Sequence, residues 1–111
     1  MLIEVTKDDI KQGIREDECN CPIALAVCRA AESELTDDQL NSVNIIAVVT
    51  DTEIGVYHHN NNAEMDHMYD IEPEDPNNWN FISDFIHHFD KDRTAEPFDM
   101  VFDVYQQIKA H

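Results

Sequence analysis

Glycine is almost missing from this chain, with two residues in 111. A Gly-rich phosphate loop cannot be built from so few, and neither G-x-x-x-x-G-K-[ST] nor G-x-S-x-G occurs. Proline is also scarce, at four residues, while 42% of the chain is apolar and 8% aromatic, which excludes the composition of a disordered acidic tail. No stretch approaches the roughly 18 uncharged apolar residues of a membrane span. The opening MLIEVTKDD lacks the basic-then-apolar plan of a signal peptide, so a cytoplasmic protein is expected. Three cysteines cannot all pair within one chain, which points to reduced thiols. Basic residues are the most telling shortage: 7 against 24 acidic ones, a formal net charge of -17. That lies far beyond the roughly 2 to 8 units that keep a small domain soluble. Such a field repels nucleic acid and anionic membranes and attracts cationic surfaces, including the grooves in which proteins hold DNA or RNA.

The length fits one acidic domain over residues 1–111. Residues 2–5 read as a short strand. Thr6 with Lys7, Asp8 and Asp9 offers an N-cap for a brief helix that Gly13 ends. Residues 15–20, REDECN, read as a loop. Pro22 suits the first turn of a central helix running to about Glu34, and residues 36–40 offer one further turn. VNIIAVVT, residues 43–50, is a buried strand by its β-branched content, and residues 53–59 form the second arm of a hairpin. Residues 60–78 are polar and acidic and read as a loop, with an irregular strand at 65–71 as the alternative. Trp79, Ile82, Phe85, Ile86 and Phe89 recur at helical spacing, predicting a second main helix to about Asp90. Phe98, Met100, Phe102 and Val104 alternate with Asp99, Val101, Asp103 and Tyr105, predicting a strand in preference to a helix over 100–110. The fold class is α+β, a small, mainly antiparallel sheet of about four strands with two main helices on one face.

CNCPIALAVC, residues 19–28, holds all three cysteines. Zinc wants four donors in a tetrahedron, and its first two cysteines usually stand two to four residues apart; here one residue separates Cys19 from Cys21. A redox thiol needs a lowered pKa, whereas Glu16, Asp17 and Glu18 raise it. Cys28 is therefore expected to pack as a small hydrophobe, with Cys19 and Cys21 at the helix entrance.

The stretch VTKDDIKQGIREDECNCPIALAVCRA resembles the opening of a family of small, uncharacterised bacterial and phage proteins. That family begins with a strand, a T-x-x-x-I-x-x-G turn of helix and a C-P-[IV]-A-x-A helix, matched here by Thr6, Ile10, Gly13, Cys21, Pro22, Ile23, Ala24 and Ala26. A looser likeness covers residues 79–89 and 97–102, the family's later helix and final strand. The resemblance implies a fold and a phage origin, and no particular activity.

The histidines do not form a metal motif. His58 with His59 and His87 with His88 are adjacent, so on a strand or a helix the members of each pair diverge, and HExxH spacing is absent. With no catalytic motif either, no enzymatic activity, no metal and no cofactor are expected.

What remains is the acidity. A folded chain of this mass exposes roughly 6,300 Å², so its acids average about one per 260 Å². B-DNA treated as a cylinder of ~10 Å radius carries about one charge per 110 Å². Mimicry of nucleic acid therefore requires the acids to be concentrated on part of the surface. The sequence groups them as Glu16 to Glu18, Glu32 to Asp38, Asp66 to Asp75, and Asp84 to Glu96, with Asp99 and Asp103 on one face of the last strand. The expected function is a phage- or mobile-element-type inhibitor that occupies the basic groove of a host nucleic-acid enzyme, such as a CRISPR effector or restriction enzyme, within the host cytoplasm. The expected contacts are Asp66, Asp70, Glu72, Glu74, Asp75, Asp84, Asp90 and Asp92, with Trp79 and Tyr69 supplying apolar specificity. The partner is then a basic nucleic-acid-binding protein, with no direct contact to nucleic acid or membrane, and the protein is a monomer or homodimer. The alternative is an acidic adaptor without mimicry, and the plainest reading is a solvated acidic surface.

Overall fold

A computed structural model of the chain describes residues 1–36, 38, 44–59, 65–92 and 95–105, without the side chain of Asp92. Eight elements follow in order: β1 (Leu2–Val5), α1 (Lys7–Gln12), α2 (Pro22–Glu32), β2 (Asn44–Val49), β3 (Ile54–His59), β4 (Met65–Pro73), α3 (Asn78–Asp92) and β5 (Phe98–Tyr105). The strands form one five-stranded antiparallel sheet in the order β1-β5-β4-β3-β2. The α+β class holds, with one strand more than the sequence suggests.

α1 starts as expected, through a reciprocal capping box. Asp9 N donates to Thr6 Oγ1 at 3.1 Å and Thr6 N donates to Asp9 Oδ2 at 2.9 Å, so two otherwise orphaned donors at the helix start are satisfied. The chain then turns at Gly13, where a Cβ would stand 2.7 Å from Pro22 Cδ. The missing side chain lets the end of α1 abut the start of α2. Cys21 is the N-cap of α2, its Sγ accepting from Ala24 N at 3.4 Å.

α2 buries Ile23, Ala24, Ala26, Val27 and Ala31 against β1 and β2. Its alanines keep the helix close to the sheet, and α3 adds Ile82, Phe85 and Phe89 to the same core. The strands meet them with Ile3, Val5, Ala47, Val49, Ile54, Val56, Ile71, Met100 and Phe102. α2 and α3 therefore cover one face of the sheet, as the burial alternation of β1, β2 and β5 requires, and α1 packs against α2. Among the described residues no helix is long and apolar enough to cross a membrane.

β4 corrects the loop assigned to the acidic stretch. Its alternation is broken by a register shift where Val56 pairs with Tyr69 and Tyr57 with His67, leaving Met68 as the extra residue. Ile71 and Pro73 nevertheless face the core. Pro73 lies beyond the last β3 partner, which is Ile71 opposite Ile54, so its missing N–H breaks no ladder bond on that side. Val104 keeps the helix-facing phase of β5 but stays 49% exposed. The extra turn expected at 36–40 and the first residue of the strand expected from 43 lie outside the described residues, apart from Thr36 and Asp38.

Candidate functional site

The face of the sheet without helices carries the acids in opposed pairs. β5, second from the β1 edge, carries Asp99 and Asp103 on this side; Asp99 stands opposite Glu4 of β1, and Asp103 opposite Glu72 of β4. All four are exposed. Like charges directly opposite one another destabilise a sheet; among the described residues no basic side chain forms an ion pair with any of the four, and Arg29 acts on the Glu4 carboxylate only through its charge at longer range. Among the described basic residues, Lys7 and Lys11 lie on α1, Arg15 in the following loop, Arg29 on α2 and Lys91 at the end of α3. Between the two acidic pairs lies an apolar one, Leu2 opposite Val101, both about half exposed.

The density of this patch decides whether it resembles nucleic acid. Spread over the whole 7168 Å² surface, 24 acids give about one per 300 Å², too dilute. Eight residues of β5 with the four of β1 and the four of β4 paired to them, at ~4.8 Å between strands and ~3.4 Å along them, cover roughly 260 Å², so the four exposed acids stand at about one per 65 Å². That is at least as dense as the roughly one per 110 Å² of a B-DNA cylinder.

Beside this patch lies a polar cluster built on Gly55. Asp70, 8% exposed, accepts from His67 Nε2 at 2.8 Å, and the Tyr57 ring meets His67 edge-on with centroids 5.1 Å apart. A Cβ on Gly55 would lie 2.8 Å from Tyr57 Cε1 and 3.2 Å from Asp70 Oδ1. Gly55→Ala is accordingly expected to push Tyr57 off His67 and to lower stability by about 1–2 kcal/mol, as an overpacked site does. Chemical denaturation and the His67 ring resonances check this together; an unshifted His67 signal would show that the ring does not depend on Gly55. Tyr105, opposite Asp70, has its hydroxyl pKa raised by burial and by Asp70, Glu72 and Glu53, so it remains a neutral donor.

A second acidic surface lines a cleft of about 300 Å³ where the 15–20 loop meets the β2–β3 turn and α3. Glu16, Asp17, Glu18, Asp51 and Asp90 face it. Glu16 adopts a positive φ of 57°, and its N–H donates to Asp90 Oδ1 at 3.0 Å. The Asp17 carboxyl is held below its ordinary pKa by Asn20 and the Cys19 N–H.

The contacts expected from sequence fall on different sides of the molecule. Asp70 and Glu72 face the open side, but Asp66 pairs with His58 toward the helices, with His58 Nε2 4.0 Å from Asp66 Oδ2. Tyr69 shares that side and is half-buried against the core. Trp79 is also partly buried against the core, and Phe81 of the same helix is exposed, at 46%. Glu74 and Asp75 form the turn into α3, where Asp75 Oδ1 accepts from Asn77 N at 3.0 Å. Asp84 is exposed on α3, Asp90 belongs to the cleft, and the Asp92 side chain lies outside the described residues. Glu4 was invisible as a site residue without the β1–β5 register.

The cysteines are poor nucleophiles. Burial pushes the Cys21 thiol up to about 11, burial likewise raises Cys28, and burial with Asp17 and Glu18 raises Cys19. Among the described residues no three His, Cys, Asp or Glu side chains converge to hold a metal ion. No family model matches the chain, and comparison with curated proteins and with solved structures finds no match.

Proposed function

We propose that the protein is an acidic inhibitor of phage or mobile-element type that occupies the basic DNA- or RNA-binding groove of a host defence or repair enzyme, such as a CRISPR effector or restriction enzyme. The observation that supports this reading is the open sheet face, where Glu4, Asp99, Glu72 and Asp103 reach the charge density of a duplex with no basic residue among them. Lysines and arginines that normally hold phosphates would pair with these carboxylates instead. Mutual repulsion across β5, unfavourable in the free protein, is relieved when cations lie between the pairs. The strands fix the backbone beneath the carboxylates, and the short side chains of Asp99 and Asp103 lose less entropy on binding than those of Glu4 and Glu72. No catalytic step is involved, and association is fast and salt-sensitive.

The second reading, an acidic adaptor that leaves nucleic acid in place, is favoured by the apolar Leu2–Val101 pair between the acids, which has no counterpart in a phosphate backbone. Competition separates the two. The protein is used to retain its target from bacterial lysate, and duplex DNA is then added. Displacement of a nucleic-acid enzyme by DNA is the expected result, with affinity reduced about 100-fold or more in the Glu4→Lys, Glu72→Lys, Asp103→Lys triple variant. Retention that DNA leaves unchanged would establish the adaptor.

A further inference from the structure

β5 changes neighbours at its midpoint, pairing with β1 up to Val101 and with β4 from Phe102. Met1 N donates to Phe102 O and Phe102 N donates to Met1 O, both at 2.8 Å. Antiparallel alternation then turns the backbone groups of Phe98 and Met100 toward β1, and those of Asp99 and Val101 toward the opposite side. There Glu74 N closes on Val101 O at 3.0 Å, but β4 has already ended at Pro73. No described strand pairs with Asp99 on that side, which leaves a short free edge in the middle of the fold.

The edge opens into a notch of about 580 Å³ bounded by β5 and the chain from Glu74 to Phe81. Its floor is aromatic: Phe81 meets Phe98 edge-on at 4.8 Å, and Phe98 meets Phe85 at 5.0 Å. Its rim is acidic, with Glu74, Asp75 and Asp99, and among the described residues no basic one lines it. A free strand edge, an aromatic floor and an anionic rim specify one kind of occupant.

We infer that the notch receives a short extended segment of the cationic partner, and this rests on the reading of the protein as a ligand of basic proteins. The segment adds to β5 at Asp99 through its backbone, sets an apolar side chain on Phe81 and Phe98, and turns a lysine or arginine to the rim. A second copy of this chain is the wrong occupant, because it would bring another net charge of -17 against the same rim. The open face thus supplies attraction and the notch supplies selection.

The test uses a synthetic ten-residue peptide alternating arginine and valine, titrated calorimetrically into the full chain. Phe81→Ser is expected to weaken it about 10-fold, as loss of a central aromatic anchor does. Methylating alternate peptide nitrogens on the strand-pairing side should weaken it comparably, and replacing valine by serine should do the same. The triple variant Glu4→Lys, Glu72→Lys, Asp103→Lys spares the notch, so it weakens the valine and serine peptides alike through the field and should leave the preference for valine within about 3-fold of wild type. Equal binding by wild type and Phe81→Ser, or by the valine and serine peptides, would overturn the inference. So would a dimer that Phe81→Ser dissolves. In any of these cases the open-face reading still stands if DNA displaces the target and the triple variant loses it; if the peptide binds as expected but DNA displaces nothing, the mimicry fails and the notch remains.

Discussion

Replacing Phe102 by alanine is expected to lower the unfolding free energy by about 3–5 kcal/mol, the usual cost of emptying a buried phenylalanine site. Phe102 is 1% exposed and sits where β5 exchanges β1 for β4, its backbone bonded to Met1 and its side chain in the core shared by both helices. A domain of this size has about 5–15 kcal/mol in total, so the variant should lie near its unfolding threshold. Urea denaturation gives the value, and Val104→Ala supplies the contrast. That residue occupies the same strand and the same phase but is half exposed, so its loss should stay within about 0.5 kcal/mol. Equal costs would mean that β5 is not anchored from its helix side. The same anchor holds Asp99 and Asp103 in line, so under the proposed function the Phe102 variant should also lose target binding to the extent that it unfolds.

The sequence made much of this fold readable because its signals are local. Thr6, Gly13, Pro22 and the stripe from Trp79 to Phe89 announce their elements through capping, close packing and helical spacing, and each element appears where these residues put it. β4 was legible only as the irregular strand that stood as the alternative to a loop, and for a physical reason. Its outer side carries His67, Asp70 and Glu72, and the bulge at Met68 shifts its phase, so alternation does not mark it. Only pairing with β3 and β5 makes it a strand.

The site was legible in part. Asp99 and Asp103 share a face as their spacing on β5 implies, and Asp70 and Glu72 join them on the open side. Read as a loop, the stretch 66–75 offered all its acids to one surface; as a strand it must send Asp66 and Tyr69 to the other. Glu4 became a neighbour of Asp99 only through pairing across 95 residues of chain, a relation no local pattern encodes. The exposed aromatic of α3 is Phe81 and not Trp79 for a related reason. The core-facing stripe of α3 is wide enough to absorb Trp79, which leaves Phe81, outside that stripe, on the surface beside Phe98.

Arg29 to alanine is the second large loss, expected at about 2–3 kcal/mol. Its guanidinium grips Asp9 bidentately, with Nη1 to Oδ1 at 2.7 Å and Nη2 to Oδ2 at 2.8 Å, and Nη2 also donates to Glu4 O at 2.7 Å. One side chain thereby ties α2 to α1 and to the strand that carries Glu4. Breaking a fully buried pair costs about 3–5 kcal/mol because a charge is left unpaired. Here the Asp9 side chain is 5% exposed but Arg29 is 52% exposed, so solvent screening reduces the figure. Lysine cannot reproduce the fork, and Arg29→Lys should recover less than half of the loss. The pH dependence identifies the partner. Burial by itself would raise the Asp9 carboxyl, but the Arg29 and Thr6 hydrogen bonds outweigh it and hold the pKa below its ordinary 3.8. A carboxyl depressed in the folded state stabilises above its unfolded pKa, and that contribution disappears as pH falls through the folded one. Denaturation of wild type and Arg29→Ala should therefore differ by a constant amount between about pH 5 and 8, and the difference should shrink below about pH 4 as Asp9 takes up a proton. A difference that stays flat into acid would remove Asp9 as the charge that Arg29 answers, leaving the Glu4 carbonyl as its main hold on the sheet.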